Sequence, residues 1–349
     1  MSIHFEPIWF DSMGAKSACT LVRTPDINIL IDPGVAIMQP SFPATIEQKT
    51  EWLATAENKI KEACKKVDIQ IISHYHYDHY FPDDLDIYRK KIIFIKNPNE
   101  YINHKQRTRG EEFYKSICKK FEIKNPKKIS EQKKTEYPDP LDELPHATKK
   151  DFRSYNKRRK EVLEKGRKRF FNYVKKWSSF ERIPEIESDD IKIIFPEEKT
   201  FTFGDTSVSF SKPLFHGIEY AGVGWVFATI IKHKDKKLLH SSDVSGPMIE
   251  DYADLIIKQN PSILILDGPT TYLFGYILNK INLTRTIDNT VRVVKEIDAD
   301  VIIYDHHLTR ENKFREHTKA VWDTALVYDK KVMTAAEYLG KKTVVEMER

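Results

Sequence analysis

One segment constrains the fold more than any other: DIQIISHYHYDH, from Asp68 to His79. Its first half is a short run rich in β-branched residues, which is typical of a buried strand. In its second half, alternation along an extended chain directs His74, His76 and Asp78 to one side. A turn starting at Asp78 brings His79 beside them. Imidazoles and a carboxylate at the carboxyl end of one strand predict a site for divalent ions such as Zn²⁺.

Strand and helix signals alternate on both sides of this segment. Upstream, a strand pair is predicted by CTLVRT and INILIDPG, and Thr45 with Gln48 forms a capping-box signature for a helix that leads into the His74 strand. Downstream, hairpins are predicted around Gly204 and within IIKHKDKKLLH. We then predict strands at SILILDG and DVIIYDHH, a helix near 283–297, and a helix containing FREHTKAVWDTAL. This order predicts an α/β (α+β) protein, as a four-layer αββα sandwich of two mixed β-sheets with outer helices.

The middle of the chain has a different composition. Residues 101–185 contain 25 Lys and Arg against 13 Asp and Glu, whereas the whole chain has a net charge of only +5. The alternating pattern is lost there and helix-forming residues dominate, so we expect a basic helical insertion. The predicted divisions are 1–97 for the first half of the sandwich, 98–187 for the insertion and 188–349 for the second half.

Aromatic residues are interleaved with the charges of this insertion: Phe170, Phe171, Tyr173 and Trp177. They fit a stripe that faces a core as well as a surface on which nucleic-acid bases stack. The insertion is therefore expected either as a solvated helical face or as a contact for nucleic acid.

Targeting and redox signals predict the compartment. The residues MSIHFEPIWFDSMG lack the basic and apolar regions of a signal peptide, and no run of about 18 apolar residues occurs. We therefore expect a cytoplasmic protein without membrane contact. The cysteines Cys19, Cys64 and Cys118 lie far apart without a CxxC pair, so we expect them to be reduced and to act as small apolar residues.

The HxHxDH motif from His74 to His79 resembles the signature of the metallo-β-lactamase superfamily, and the chain is similar to an archaeal branch that keeps the full ligand set. Further motifs follow in the family's order: Asp32 in LIDPG, His216 in PLFHG, Asp243 in LLHSSDVSG and a last histidine in YDHHL. Ser242 departs from the glycine that is common before the bridging aspartate. Because 137 positions separate His79 from His216, the insertion lies between the two halves of the site, and we expect its helices to flank the mouth.

The resemblance also implies the ligands. One ion is held by His74, His76 and His216, the other by Asp78, His79 and the last histidine, and Asp243 lies between them. Two divalent ions are implied, Zn²⁺ first with iron or manganese as alternatives, and Asp78 orients a bridging hydroxide for attack on a carbonyl or phosphorus centre. The sequence HHLTR resembles the HFSxR-like ending of tRNA-processing nucleases. This favours His306 over His307 as the last ligand and leaves His307 to protonate a leaving group or to bind substrate.

Several of these residues also have ordinary structural roles. Taken alone, His216 is a hydrogen-bonded core histidine, and Asp243 is a cap for a helix near Pro247. Asp32 is predicted to fix a turn rather than to bind metal. Asp267 ends a buried strand and is either a turn former or an acceptor that orients a ligand imidazole. Three further histidines are predicted to lie outside the site: His233, His240 and His317.

The predicted activity is metal-dependent hydrolysis of a phosphodiester, or of an ester, lactone or phosphorylated small molecule. One alternative is a nuclease that binds RNA or DNA through the basic insertion, with strongly salt-dependent binding. Another is a non-catalytic metal-binding protein whose helical arm docks a partner. Seven candidate ligands suit an open two-ion site better than a closed structural site with four ligands. No oligomeric state is predicted.

Overall fold

The computed structural model describes residues 3–123 and 136–347. Residues 124–135, which belong to the predicted basic insertion, lie outside the described residues, as do the chain's first two and last two residues. Within the described ranges the chain forms two seven-stranded sheets and one two-stranded ribbon. No helix in these ranges combines the length and the apolar character needed to cross a bilayer.

Both large sheets are mixed. The strands are β1 His4–Phe10, β2 Ala18–Arg23, β3 Asn28–Ile31, β4 Ile69–Ile72, β5 Lys91–Ile95, β6 Ile186–Glu187, β7 Ile191–Ile194, β8 Thr200–Phe203, β9 Thr206–Phe210, β10 Leu214–Phe215, β11 Trp225–Val226, β12 Thr229–His233, β13 Lys236–His240, β14 Ile263–Asp267, β15 Val301–Asp305 and β16 Val332–Met333. The first sheet has the order β1-β2-β3-β4-β5-β7-β6, and the second has the order β16-β15-β14-β13-β12-β9-β8. Parallel pairing joins β3, β4, β5 and β7 in the first sheet and β13 to β16 in the second.

Helices connect and cover these strands. The α-helices are α1 Ile46–Cys64, α2 His104–Lys120, α3 Pro145–Lys149, α4 Asn156–Ser179, α5 Glu250–Gln259, α6 Lys280–Glu296, α7 Phe314–His317, α8 Lys319–Val327, α9 Ala335–Tyr338 and α10 Val344–Met347. Short 3-10 turns occur at Asp11–Met13, Leu85–Tyr88, Pro140–Glu143, Arg153–Tyr155, Thr271–Leu273 and His306–Arg310. The predicted helix near 283–297 corresponds to α6.

The main core lies between the two sheets. Ile31 and Ile71 of the first sheet share a buried cluster with Ile231, Leu238 and Ile265 of the second. On the outer faces, α5, α6 and α8 share a cluster with β14 and β15, while α2 and α4 share one with β5 and β7. Apolar side chains are thus removed from water on both faces of each sheet, and the predicted four-layer αββα sandwich is confirmed.

The carboxyl ends of the parallel strands position the polar residues. Strand β4 is followed directly by the segment that contains His74. Strands β13 and β15 both pair in parallel with β14, and they lead into loops that carry Asp243 and His306. Parallel strands end at the same edge of a sheet, so these distant segments arrive on the same side of the molecule.

One predicted helix is wrong. The segment FREHTKAVWDTAL was expected to be continuous, but α7 and α8 are separated at Thr318, whose φ is −112°. The Thr318 side chain is fully buried, and its hydroxyl donates to the Phe314 carbonyl at 2.7 Å. This bond offers the backbone an alternative to continued helical pairing.

The insertion's aromatic residues divide between core and surface. Phe170 and Trp177 are buried, and each ring lies within about 6.3 Å of the Trp225 ring centroid. Phe171 is 48% exposed. A core-facing stripe is therefore confirmed for Phe170 and Trp177. Strand β6, at the end of the predicted insertion, pairs with β7 at the edge of the first sheet.

The start of α1 provides a test of local stability. The Thr45 hydroxyl accepts from the Gln48 backbone N–H at 3.3 Å, and the Gln48 side chain accepts from the Thr45 N–H at 2.8 Å, which confirms the predicted capping box. We expect Thr45→Ala to lower the free energy of unfolding by about 1 kcal/mol in urea titrations, because the Gln48 backbone N–H loses its acceptor. Thr55→Ala in the exposed middle of the same helix is the control and should not destabilise, since alanine favours helix. Equal effects of the two substitutions would contradict the capping role.

Candidate metal centre

Side chains from distant segments converge on the carboxylate of Asp243. Its oxygens lie close to four imidazole Nε2 atoms: 3.4 Å from His74, 3.3 Å from His79, 3.1 Å from His216 and 3.4 Å from His306. Asp243 itself is 1% exposed. A buried carboxylate is therefore surrounded by nitrogen atoms from three other parts of the chain.

The convergent side chains form two adjoining groups. The first contains His74, His76, His216 and Asp243, and the second contains Asp78, His79 and His306. Within each group, one candidate ligand atom per residue lies within 4.8 Å of the others. All seven residues predicted as ligands are thus brought together as His/Asp clusters typical of a dinuclear site. That they bind metal remains a prediction.

The unsatisfied polar atoms of the cluster test whether cations fit. Both carboxylate oxygens of Asp243 and the Nε2 atoms of His79, His216 and His306 are buried, and they make no hydrogen bond with the described residues. Buried polar atoms without partners cost free energy, and an isolated buried carboxylate costs more. Divalent cations between these atoms would satisfy all of them at once. Imidazole and carboxylate donors suit Zn²⁺ and similar ions, so the donor set fits.

Asp32 and Ser73 orient the imidazoles of the HYHYDH segment. Asp32 accepts from the Ser73 backbone N–H at 2.8 Å and from its hydroxyl at 2.9 Å. The same hydroxyl lies 3.0 Å from His74 Nδ1, and Asp32 Oδ2 lies 3.0 Å from His79 Nδ1. Asp32 has a structural role, as predicted, but its carboxylate holds Ser73 and the far side of His79 rather than N–H groups of its own turn. Such contacts turn the free Nε2 atoms inwards.

Asp11 has the same role for His306, and sequence reasoning missed it. Its Oδ1 lies 3.1 Å from His306 Nδ1, and its Oδ2 accepts a short hydrogen bond from Arg310. Arg310 also reaches Asp78 at 3.4 Å. The available signal was position, since Asp11 directly follows β1 and precedes Gly14, much as Asp32 follows β3 and precedes Gly34.

His306 and His307 face different surroundings. The φ of His306 is +53°, and its Nε2 approaches Asp243. His307 Nε2 lies farther from Asp243, at 3.9 Å, and its ring lines a cavity. Asp267 Oδ1 lies 2.9 Å from His307 Nδ1, and Oδ2 accepts from the Ser245 N–H at 2.7 Å. Asp267 therefore hydrogen-bonds to His307 Nδ1 and orients that imidazole, rather than being a turn former alone.

Burial and neighbouring charges set the protonation states. Burial alone would raise the pKa of Asp243, but the imidazoles of His79 and His74 outweigh it and hold that pKa well below its usual range. Burial, followed by the nearby His74 ring, lowers the pKa of His76 well below its usual range. Burial and then the Asp243 carboxylate raise the pKa of Asp267 to about 7. An ionised Asp243 and a neutral His76 are the forms that coordinate cations. Burial would lower the pKa values of His79 and His306, but nearby carboxylates raise both well above the usual range, so these two imidazoles would release a proton when cations bind.

The three remaining predicted non-ligands have other partners. His240 Nε2 lies 3.2 Å from the Ala18 carbonyl. His233 Nδ1 lies 3.0 Å from the Thr206 hydroxyl, and His317 Nδ1 lies 2.7 Å from Glu311. None of these histidines belongs to any of the four groups of candidate ligands found in the described part of the chain, which include Asp243, His306 and His307 as a third group and a partly exposed group at His146.

A cavity of about 450 Å³ opens onto the cluster. His76, Asp78, His216 and His307 line it, so both groups are reached from the same side. Helix α2 of the insertion contributes Arg109 to the wall. A molecule bound in this cavity would contact the His/Asp cluster directly.

The loop 216–224 forms one wall of the cavity, and the insertion holds it. Asn103, just before α2, donates to the Val223 carbonyl at 2.6 Å. Arg169 of α4 donates a short hydrogen bond to the Tyr220 carbonyl. The loop that carries His216 therefore depends on the insertion for its backbone partners.

A buried network of ion pairs also holds the loop 216–224, through Glu219. Arg285 on α6 is 2% exposed, and it bonds Glu219 at 2.6 Å and Glu250 at 2.8 Å. Arg159 of α4 adds a contact to Glu219 at 2.9 Å, and Lys150 adds one to Glu250 at 2.8 Å. Burial would raise the pKa of Glu219, but the hydrogen bond and charge of Arg285 reverse the effect and lower it.

Comparison with known proteins identifies relatives of this chain. The profile of the metallo-beta-lactamase superfamily matches residues 14–81. The chain is 31% identical to a UPF0282 protein of Methanocaldococcus jannaschii, over 97% of this chain and 92% of that protein. It is 30% identical to a UPF0282 protein of Metallosphaera sedula, over 97% of this chain and 88% of that protein. Among solved structures, it is similar to the metallo-beta-lactamase fold protein YhfI from Bacillus subtilis at 14% identity and a TM-score of 0.46, over 96% of this chain and 97% of that chain.

A glycine contact generates a prediction for the second ion. A Cβ on Gly34 would lie 2.0 Å from the Tyr80 backbone nitrogen and 2.4 Å from the His79 carbonyl carbon, so the ligand loop must shift to admit it. We expect Gly34→Ala to lower the bound zinc from about two ions to about one per chain, as the two clusters imply. Gly222→Ala is the control, because its nearest neighbour would be a flexible Arg169 atom at 3.8 Å. Plasma mass spectrometry after dialysis measures both. Retention of both ions by Gly34→Ala would show that this contact does not position His79.

The buried arginine generates a prediction for stability. Arg285→Met leaves two buried carboxylates without their main partner, and we expect the free energy of unfolding to fall by about 3–5 kcal/mol. Arg292→Met on the same helix is the matched control. Arg292 is 41% exposed and its partner Asp254 is 28% exposed, so a loss of at most about 1 kcal/mol is expected. Urea titrations give both values, and similar losses would contradict a special role for the network.

Proposed function

Because the chain belongs to the UPF0282 family of the metallo-β-lactamase superfamily, we propose that it is a metal-dependent hydrolase with two divalent cations. The observation that carries the proposal is the position of Asp243. This carboxylate lies between two groups of inward-facing imidazoles, and a cavity reaches both groups from one side. A closed structural site would have no such opening.

The chemistry divides between the cations and the chain. Bound divalent ions would supply a Lewis acid and make a water molecule acidic enough to act as a nucleophile at neutral pH. Asp78 lines the cavity, and although burial alone would raise its pKa, the charges of His79 and His306 hold that pKa well below its usual range. As a carboxylate, Asp78 accepts a hydrogen bond from the attacking water and so orients it. The ligand histidines fix the geometry, because Asp11, Asp32 and Ser73 hold their outer nitrogen atoms.

His307 is the proposed proton donor. Its Nδ1 is held by Asp267 at 2.9 Å, which leaves Nε2 directed towards the cavity. When water attacks the carbonyl or phosphorus atom, the bond to the leaving oxygen breaks and that oxygen needs a proton. Burial and then the charge of Arg310 lower the pKa of His307 well below its usual range, so the proton comes from the Nε2–H of a neutral ring. The Asp267 carboxyl, whose pKa burial raises to about 7, donates to Nδ1 and replaces that proton. The proposed roles of Asp78 as orienting base and His307 as acid follow from these positions.

A small-molecule ester or phosphodiester is better supported as substrate than a polynucleotide. Phe170 and Trp177 lie in the core and are not available for stacking on bases. Arg159 and Arg167 of the basic helix pair with Glu219 and with aspartates. Charges that are used inside the protein offer less to a phosphate backbone.

Substitution of a ligand tests the proposal. We expect His76→Ala to lower the bound metal and to abolish turnover in a screen of bis-p-nitrophenyl phosphate, thioesters and lactones, while the circular dichroism of the sheets is kept. His317→Ala is the control, since that histidine lies outside the clusters and contacts Glu311. Full metal content and full turnover in His76→Ala would end the proposal. Turnover of none of these substrates by the zinc-loaded wild type would favour the non-catalytic alternative.

A further inference from the structure

Exposed apolar side chains are concentrated at the mouth of the cavity. Fifteen large apolar residues are exposed in the described ranges, and six of them line this cavity or adjoin a lining residue along the chain: Ile37, Tyr77, Val223, Phe274, Tyr276 and Ile277. Three of the six line the cavity themselves, and the other three are chain neighbours of lining residues. They come from four separate segments. A patch assembled in this way indicates a binding surface, whereas single exposed apolar residues do not.

The most exposed part of this rim is a well-defined turn. Tyr276 is 86% exposed and Ile277 is 67% exposed. The backbone N–H groups of both residues donate to the Leu273 carbonyl, at 3.1 and 3.0 Å, and Gly275 has a φ of +81°. The turn is therefore held by its own hydrogen bonds while its apolar side chains face solvent.

The inner wall of the cavity is also partly apolar, and two cationic side chains without an ion pair line it. Ile218, Met248 and Leu278 line the cavity between the rim and the metal centre. Lys16 and Arg109 line it as well, and neither forms an ion pair with the described residues. Arg109 donates to the Tyr75 carbonyl at 3.1 Å and stacks on the Tyr77 ring at 4.4 Å.

Unpaired cations in a partly apolar cavity favour a ligand with negative charge. Arg310, which lines the same cavity, is already bound to Asp11 and so offers less to a ligand. Among the described residues no carboxylate is in direct contact with Lys16 or Arg109, although the charges of Asp78 and Asp11 act on Lys16, so an anionic group of the ligand would add that contact. The apolar rim would take an uncharged chain attached to that group.

We propose that the substrate is an amphiphilic anion: an ester or phosphodiester whose apolar chain lies on the rim and whose anionic group lies near Lys16 and Arg109. This proposal rests on the hydrolase function proposed above, and it names the substrate class of that site. Hydrolysis adds water across the ester bond, so that one product carries the hydroxyl group and the other becomes the acid. The apolar chain leaves with one of the two products.

Binding of two alkyl phosphates to the zinc-loaded full chain tests the apolar half of the proposal. Butyl and decyl phosphate have the same head group, so the ratio of their affinities measures only the contribution of the longer alkyl chain to binding. Each buried methylene strengthens binding about fourfold, and burial of three of the six additional methylenes gives a ratio of about 60. Isothermal titration calorimetry below the critical micelle concentration measures the ratio. Equal affinities would overturn the proposal.

Paired substitutions locate the chain on the rim. The double variant Tyr276→Ser/Ile277→Ser should lower the decyl-to-butyl ratio at least about fourfold, since roughly one methylene or more becomes exposed to water. The matched control is Leu326→Ser/Val327→Ser. These two neighbours on α8 are 82% and 79% exposed and do not line the cavity. An equal fall in the control, or no fall in the rim variant, would overturn the assignment.

A charge substitution tests the anionic half. Arg109→Gln should weaken both phosphates about tenfold and leave their ratio unchanged, because a charge-assisted hydrogen bond is lost from the shared head group. Lys115→Gln on the same helix is the control, since Lys115 is 72% exposed and pairs with Glu111. Unchanged affinities in Arg109→Gln would overturn its role in binding the anion.

Two further outcomes separate this proposal from its alternatives. Wild-type protein that sediments with phosphatidylglycerol vesicles but binds butyl and decyl phosphate equally would show that the rim docks on a bilayer, which overturns the substrate assignment. Preference for decyl phosphate without hydrolysis of any ester would support the amphiphile site and overturn the hydrolase function. Hydrolysis of an ester with no preference for the longer chain would support the hydrolase function and overturn the amphiphile site.

Discussion

The burial of one carboxylate organises this molecule. Asp243 is almost fully removed from water, and its nearest polar neighbours are imidazole nitrogen atoms that do not hydrogen-bond to it. Such a charge is tolerable only with cations beside it. The parallel strands bring the imidazoles to this carboxylate at one edge of the sheets. The partners of the outer histidine nitrogens orient the rings, and the cavity gives access to them. Asp11 and Asp32 form an outer layer of contacts, because each lies beside the Nδ1 atom of an imidazole whose Nε2 faces Asp243.

Features that depend on residues close together in the sequence were predicted correctly more often than features that depend on contacts between distant residues. The HYHYDH segment, the capping box of α1 and the hairpins depend on residues within a few positions of one another, and all are present. Asp11 was missed because its partner His306 lies 295 positions away. The break between α7 and α8 was missed because it depends on the burial of Thr318, which periodicity does not reveal. The choice between core and surface for Phe170 and Phe171 likewise required the neighbouring helix and sheet.

The basic insertion illustrates why composition alone is a weak guide to partners. Its surplus of positive charge is compatible with a solvated helical face or with a nucleic-acid contact, and two of its arginines, Arg159 and Arg169, hold the loop that carries His216. The chain's acidic residues, such as Glu219, are placed where these arginines reach them. A charge run can therefore be part of the scaffold of a site that lies in another segment.

The direct contact of Gly34 with the backbone of His79 and Tyr80 links two loops into a single mechanical unit. At Gly34 the backbone of the turn after β3 packs directly against the backbone of the ligand segment after β4, with no side chain between them. Strands β3 and β4 also pair in parallel. The positions of the ligands after β4 therefore depend on the backbone of the turn after β3. The loop of His216 is positioned separately, through hydrogen bonds from Asn103, Arg169 and Arg285.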